Sequence, residues 1–283
     1  MLSDELHSFR DLAIEATGDA VEFEDDTEPG DESEAEDDED DHDDQERIQL
    51  QHKVTEAASD DNLVAYFDRI VDELNTLPSL NEELINEEIY AWYFPPEMSQ
   101  STFNGRNGSN ACSMISILAA YFFARSRLEI PKGGVLSSEF VKTFCGCIEL
   151  GNRMYDLCRH GLPNRYLSIE EAAALLSFTD MSTAGPLPVR LEDEHELSTI
   201  CGHLGTLSEN RTYFASIVID EKTSLFILSP PHVLYIDSHL HGIYGAVVVK
   251  GTYSNLSDFC KFVWKLESHG KSTYGNLHIL IFK

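Results

Sequence analysis

The chain has 283 residues, with 20 Lys and Arg set against 50 Asp and Glu, for a formal net charge of −30. The length admits one large domain or two small ones. The acidic excess argues against nucleic-acid binding, which rests on Lys and Arg neutralising phosphates.

The first 17 residues, MLSDELHSFRDLAIEAT, place Leu2, Leu6, Phe9 and Ala13 on one face of a short helix. Their scattered charges do not form the continuous apolar core of a secretory signal. Residues 22–46 then hold 17 acidic side chains and no Lys or Arg. Such a block repels itself and buries almost nothing, so residues 1–50 are read as a disordered acidic region. Leu63, Tyr66, Phe67, Ile70, Val71 and Leu74 recur at helical spacing, and Pro78 stops the pattern. A second short helix is expected in NEELINEEIYAWYF, before Pro95-Pro96, giving a helical extension over residues 51–96.

From residue 97 a polar, glycine-studded loop leads into a helix from Cys112 to about Arg127. Another helix is expected over residues 137–161, although Gly146 and Gly151 are poor helix formers. Ser168 and Glu171 form a capping box that starts a third. The period then changes to strands: RTYFASIVID and TSLFILS as a hairpin, followed by HVLYIDSH and GAVVVKGTY. A helix over residues 254–268 and a strand, GNLHILIFK, close the chain. Helices followed by an antiparallel sheet define an α+β fold. No stretch approaches the roughly 18 apolar residues of a membrane-spanning helix. The six cysteines are read as reduced thiols of a cytoplasmic or nuclear protein.

Two short stretches carry chemistry. Cys112 stands at the first position of an apolar helix, where backbone N–H groups stabilise a thiolate. The alternative is a small buried residue at a helix end. In LYIDSHLHG, Asp237 and His239 project to the same side of a strand, so the carboxylate can fix the imidazole tautomer. Asp237, His239 and His241 also present three metal ligands at alternating positions, the pattern of a zinc-dependent hydrolase. Cys145 and Cys147 form C-x-C without a second pair and are read as structural.

Cys112 together with Asp237-x-His239 resembles the viral-tegument-like deubiquitinases, the family of the herpesvirus large tegument proteins. The likeness includes Gln100 twelve residues before the cysteine, Phe103, Gly105 and Gly108 between them, and LHGIYGAVVV after the histidine. It covers about residues 97–283 and implies a papain-like cysteine protease fold for that region. It further implies a triad of Cys112, His239 and Asp237, with Gln100 at the oxyanion hole and Asn107 or Asn110 as alternative donors. Activity would be hydrolysis of isopeptide or peptide bonds at the C-terminus of ubiquitin, or of another ubiquitin-like modifier, without a cofactor. Three other readings stay open: a catalytically inactive ubiquitin-binding module, the metal hydrolase, and a scaffold acting through its acidic tail.

Overall fold

The computed structural model describes residues 60–282 apart from 75, 127–129, 132, 160–165, 192–193, 208–210 and 269–272. The helix expected over residues 1–17 and the acidic block lie outside the described residues.

An eight-stranded sheet carries the architecture, with strand order β1-β2-β7-β6-β5-β4-β8-β3 and every neighbouring pair antiparallel. Its strands are β1 (Asn81–Asn86), β2 (Ile89–Tyr93), β3 (Met181–Leu191), β4 (Tyr213–Ile219), β5 (Lys222–Ser229), β6 (His232–Asp237), β7 (Val247–Thr252) and β8 (Thr273–Phe282). One face packs against α1 (Asp60–Glu73), α2 (Cys112–Ser126), α3 (Ser138–Cys158) and α4 (Ile169–Leu176). The other face is covered by α5 (Glu194–Leu207) and α6 (Leu256–Ser268). The expected α+β class with an antiparallel sheet is therefore what the molecule has.

Because both faces are covered, the inner strands are apolar at nearly every position. In β6, Leu234 and Ile236 enter the core with α2, while Val233 and Tyr235 enter the core with α6. α2 is apolar all round, and twelve of its residues, Cys112 through Phe123, are buried between α3 and the sheet.

Residues 81–94 are a hairpin, not the expected helix. Their glutamates favour helix, but Ile89, Tyr90, Trp92 and Tyr93 are β-formers, and β2 finds a partner in β7 from Tyr90↔Lys250 to Tyr93↔Val247. The Asn86 side chain closes the turn by accepting from the N–H groups of Glu88 and Ile89, each at 3.0 Å. The stretch between the α4 and β4 segments, left without elements by the sequence, contains β3 and α5. The β4–β5 turn is centred on Asp220 and Glu221, both at positive φ, one residue earlier than the sequence placed it.

α3 runs unbroken through both of its glycines. Their role is close approach: a Cβ on Gly151 would lie 2.4 Å from Ile115 Cγ1 and 3.2 Å from the Ile115 backbone. Gly151→Ala is expected to push α2 away and to cost about 1–3 kcal/mol, the usual penalty of overpacking. Urea unfolding of the full chain measures this, and an unchanged midpoint would show that the two helices separate freely.

Candidate active site

The site forms where the start of α2 meets the ends of the inner strands. Ala111, immediately before Cys112, has no side chain to cap the helix, so first-turn N–H groups stay directed out of its N-terminus. Serines fix the helix against the sheet: Ser113 Oγ donates to the Leu167 carbonyl at 2.7 Å and lies 3.0 Å from Thr223 Oγ1. One turn later, Ser116 and Ser216 hydroxyls meet at 2.7 Å. Cys112 is only 4% exposed. Its Sγ lies 3.8 Å from the Glu221 carbonyl in the β4–β5 turn, and His239 is near enough to lower the thiol pKa.

Asp237 ends β6 and is 1% exposed. Alternation puts it on the α6 side of the sheet with Tyr235, whereas Cys112 starts a helix on the opposite face. His239, just past the end of the strand, spans between them. Its Nδ1 is 2.5 Å from Asp237 Oδ1, and its backbone N–H donates to the same oxygen at 3.0 Å. With Nδ1 engaged on the carboxylate, Nε2 is the nitrogen left for the thiol.

Gln100 joins the two halves. Its Nε2 donates to the Ser109 carbonyl at 3.1 Å, which leaves the second N–H of the amide. Its Oε1 accepts from Ser238 Oγ at 2.8 Å, and its backbone N–H donates to the Ser238 carbonyl at 2.8 Å. α3 holds this arrangement from behind. Asn152 Nδ2 donates to the Gln100 carbonyl at 3.0 Å, and its Oδ1 accepts from Ser109 Oγ at 2.6 Å. Further along the loop, Asn104 donates to Glu149 at 2.8 Å, and Arg106 pairs with Asp156.

The electrostatics separate Cys112 from the cysteines of α3. Burial would raise its thiol pKa, but the His239 hydrogen bond and charge, together with donors from Thr223, bring it below the ordinary value. His239 is pushed well above the usual imidazole range; burial opposes this, and the charge and hydrogen bond of Asp237 outweigh it. Asp237 is held well below the carboxylate range by His239 and His241 against a large burial penalty. Burial pushes Cys145 up to about 12 and Cys158 up to about 11, and raises Cys147 and Cys260 as well.

The structure thus brings together all four residues singled out by sequence: Cys112, His239, Asp237 and Gln100. It does not assemble the metal site. His239 and His241 turn ring nitrogens onto the two different oxygens of Asp237, and among the described residues no three His, Cys, Asp or Glu side chains are placed to hold a metal ion. Asn152, Ser238 and Glu267 escaped sequence reasoning. A buried asparagine inside an apolar helical run was the one available signal for Asn152.

No protein-family model matches the chain, and no curated protein matches it. Among solved structures, the molecule is similar to the ubiquitin-specific protease encoded by murine cytomegalovirus tegument protein M48, in complex with a ubiquitin-based suicide substrate. That likeness has 11% identity and a TM-score of 0.47, and covers 67% of this chain and 85% of that one.

Iodoacetamide labelling at pH 7, read by peptide mass mapping, is expected to modify Cys112 ahead of Cys145, Cys147, Cys158 and Cys260. The rate should fall as pH drops through the lowered Cys112 pKa, because the thiolate is the nucleophile. Earlier labelling of an α3 cysteine would contradict this ordering.

Proposed function

We propose that the protein is a cysteine-dependent deubiquitinase that cleaves isopeptide or peptide bonds at the C-terminus of ubiquitin. The observation that carries this reading is Cys112 at a helix N-terminus beside His239, whose ring is hydrogen-bonded to Asp237, with Gln100 tied to both halves. A nucleophile, a base, a group orienting the base and donors for an oxyanion are the parts that acyl transfer requires. The choice of ubiquitin rests on the resemblance of the Gln100–Cys112 and Asp237-x-His239 motifs to the viral-tegument-like deubiquitinases. An acidic enzyme suits the Arg-Leu-Arg-Gly-Gly tail of ubiquitin.

In the reaction the Cys112 thiolate attacks the carbonyl carbon of the terminal glycine. A C–S bond forms, and the carbonyl oxygen takes the negative charge. The Cys112 backbone N–H and the second N–H of the Gln100 amide receive that charge. Protonated His239 gives its Nε2 proton to the leaving nitrogen as the C–N bond breaks. Water gives a proton to the same nitrogen as its oxygen bonds to the thioester carbon, and the C–S bond then breaks, releasing the ubiquitin carboxylate and restoring the Cys112 thiolate beside protonated His239. Asp237 keeps Nδ1 protonated and stabilises the imidazolium throughout.

The test uses full-length protein and ubiquitin carrying a C-terminal thiol-trapping electrophile. Wild type is expected to shift by one ubiquitin on a gel, and Cys112→Ala is expected not to shift. With a fluorogenic ubiquitin substrate, Cys112→Ala and His239→Ala should each lower kcat by about 10³-fold or more. Ubiquitin binding without adduct or turnover would replace this reading with that of a binding module. Reaction with a different ubiquitin-like probe alone would correct the modifier.

A further inference from the structure

Asp237 carries a second imidazole that the triad does not use. His241 Nε2 lies 2.8 Å from Asp237 Oδ2, the oxygen facing away from His239. We infer that His241 is a positioning residue: as the donor on Oδ2, it holds the Asp237 carboxylate ionised and oriented for His239. This inference rests on the reading of Cys112, His239 and Asp237 as the catalytic set.

The argument begins with the cost of burying the carboxylate. A carboxylate that is 1% exposed is driven toward its neutral form unless both oxygens receive donors. Oδ1 is met twice, by the ring and the backbone N–H of His239. Oδ2 has two neighbours, His241 Nε2 at 2.8 Å and the Tyr235 hydroxyl at 3.4 Å. A phenol has one proton, and Tyr235 also contacts Glu267 Oε1 at much closer range. The Tyr235 proton therefore goes to Glu267, and His241 is left as the effective donor on Oδ2. Without it, Oδ2 would take up a proton or rotate toward another partner. A protonated or rotated Asp237 no longer stabilises the His239 imidazolium, and the Cys112 thiolate loses its counter-ion.

The chain past β6 is shaped to deliver this ring. The backbones of His241 and Tyr244 exchange N–H···O bonds of 3.0 Å in both directions, closing a tight loop. Gly242 occupies the turn at φ +62°. The Tyr244 ring packs at 4.9 Å on Tyr93 of β2, which anchors the loop to the sheet. Leu240 and Ile243 project outward from the same loop, so the inward direction of His241 is a specific feature of this segment.

The experiment compares His241→Ala, His241→Asn and His241→Gln in the full chain, each checked for folding by thermal denaturation. Gln extends its amide nitrogen to about the position of Nε2, whereas Asn is too short. The first readout is the rate of Cys112 alkylation by iodoacetamide at pH 7, which needs no ubiquitin. Asn and Ala are expected to lower it about 10-fold or more, the scale set by one hydrogen bond to a charged group, with Gln recovering most of the loss. The second readout is turnover of a fluorogenic ubiquitin substrate, in which kcat should fall in the same order with KM unchanged. If a folded Asn variant alkylates as fast as wild type, or if Gln is as slow as Asn, the positioning role is overturned. A wild-type Cys112 that resists alkylation and turns over no substrate would instead overturn the reading of the site itself.

Discussion

A carboxylate withdrawn from water at the end of a central strand stays ionised only while hydrogen-bond donors meet it, and Asp237 imposes that condition on everything around it. The strand must be central, because only there is the carboxylate walled off by neighbours on both sides. The chain must turn at once beyond it, because the donors come from residues two and four positions later. Tyr235, two positions earlier, carries the contact on to Glu267 in the last turn of α6, where Ser224 also donates at 2.6 Å. Glu267 lies near the Asp237 charge in a buried setting, which raises its pKa. Its Oε1 accepts from both the Tyr235 and the Ser224 hydroxyls, so this second carboxyl group draws on donors other than the two histidines that serve Asp237.

The three-layer architecture explains how an acid and a thiol on opposite faces of a sheet come to interact. α2 occupies one face and the Tyr235–Asp237 side of β6 the other, so contact through the sheet is blocked by backbone. The two meet only past the strand ends, where His239 reaches around. Helix position along the sheet then decides whether the reach succeeds. Polar contacts in the core, Ser116 with Ser216 and Ser113 with Thr223 and the Leu167 carbonyl, supply direction that apolar packing alone lacks. Hydrophobic burial holds α2 in place, and the hydroxyls select its rotation and height.

Much of this was legible in the sequence where periodicity was long and unambiguous. The β4–β5 hairpin, β6, β7, α6 and the capping box of α4 all stand near where alternation, helical spacing and turn chemistry put them. Cys112, Asp237 and His239 were visible through helix-start and strand-end positions, whereas Gln100, in a loop, was singled out through the family resemblance alone. The misses have physical causes. Glutamate-rich residues 81–94 look helical until β7 offers an edge to pair with, which local propensity cannot register. In β3 the pattern is broken by Gly185, Pro186 and Pro188, so its pairing with β8 could not be read locally. The D-x-H-x-H spacing suited a metal, but the backbone turns after Asp237, and the histidines face the carboxylate in place of a common centre. Asn152 contributes through contacts with residues some fifty positions away, and no local pattern encodes such a distance.

One adjacency in α3 couples two parts of the site. Gly151 lets the helix backbone rest against Ile115, in the first turn of α2, while the next residue, Asn152, grips the loop carrying Gln100. A single turn of α3 therefore touches both the helix that starts at Cys112 and the arm that bears the amide, so a change at either position is felt at both. Across from it the β4–β5 turn, with its Glu221 carbonyl beside the thiol, is tied to the same helix through Ser113 and Ser116, which joins the sheet and the helical layer at this point.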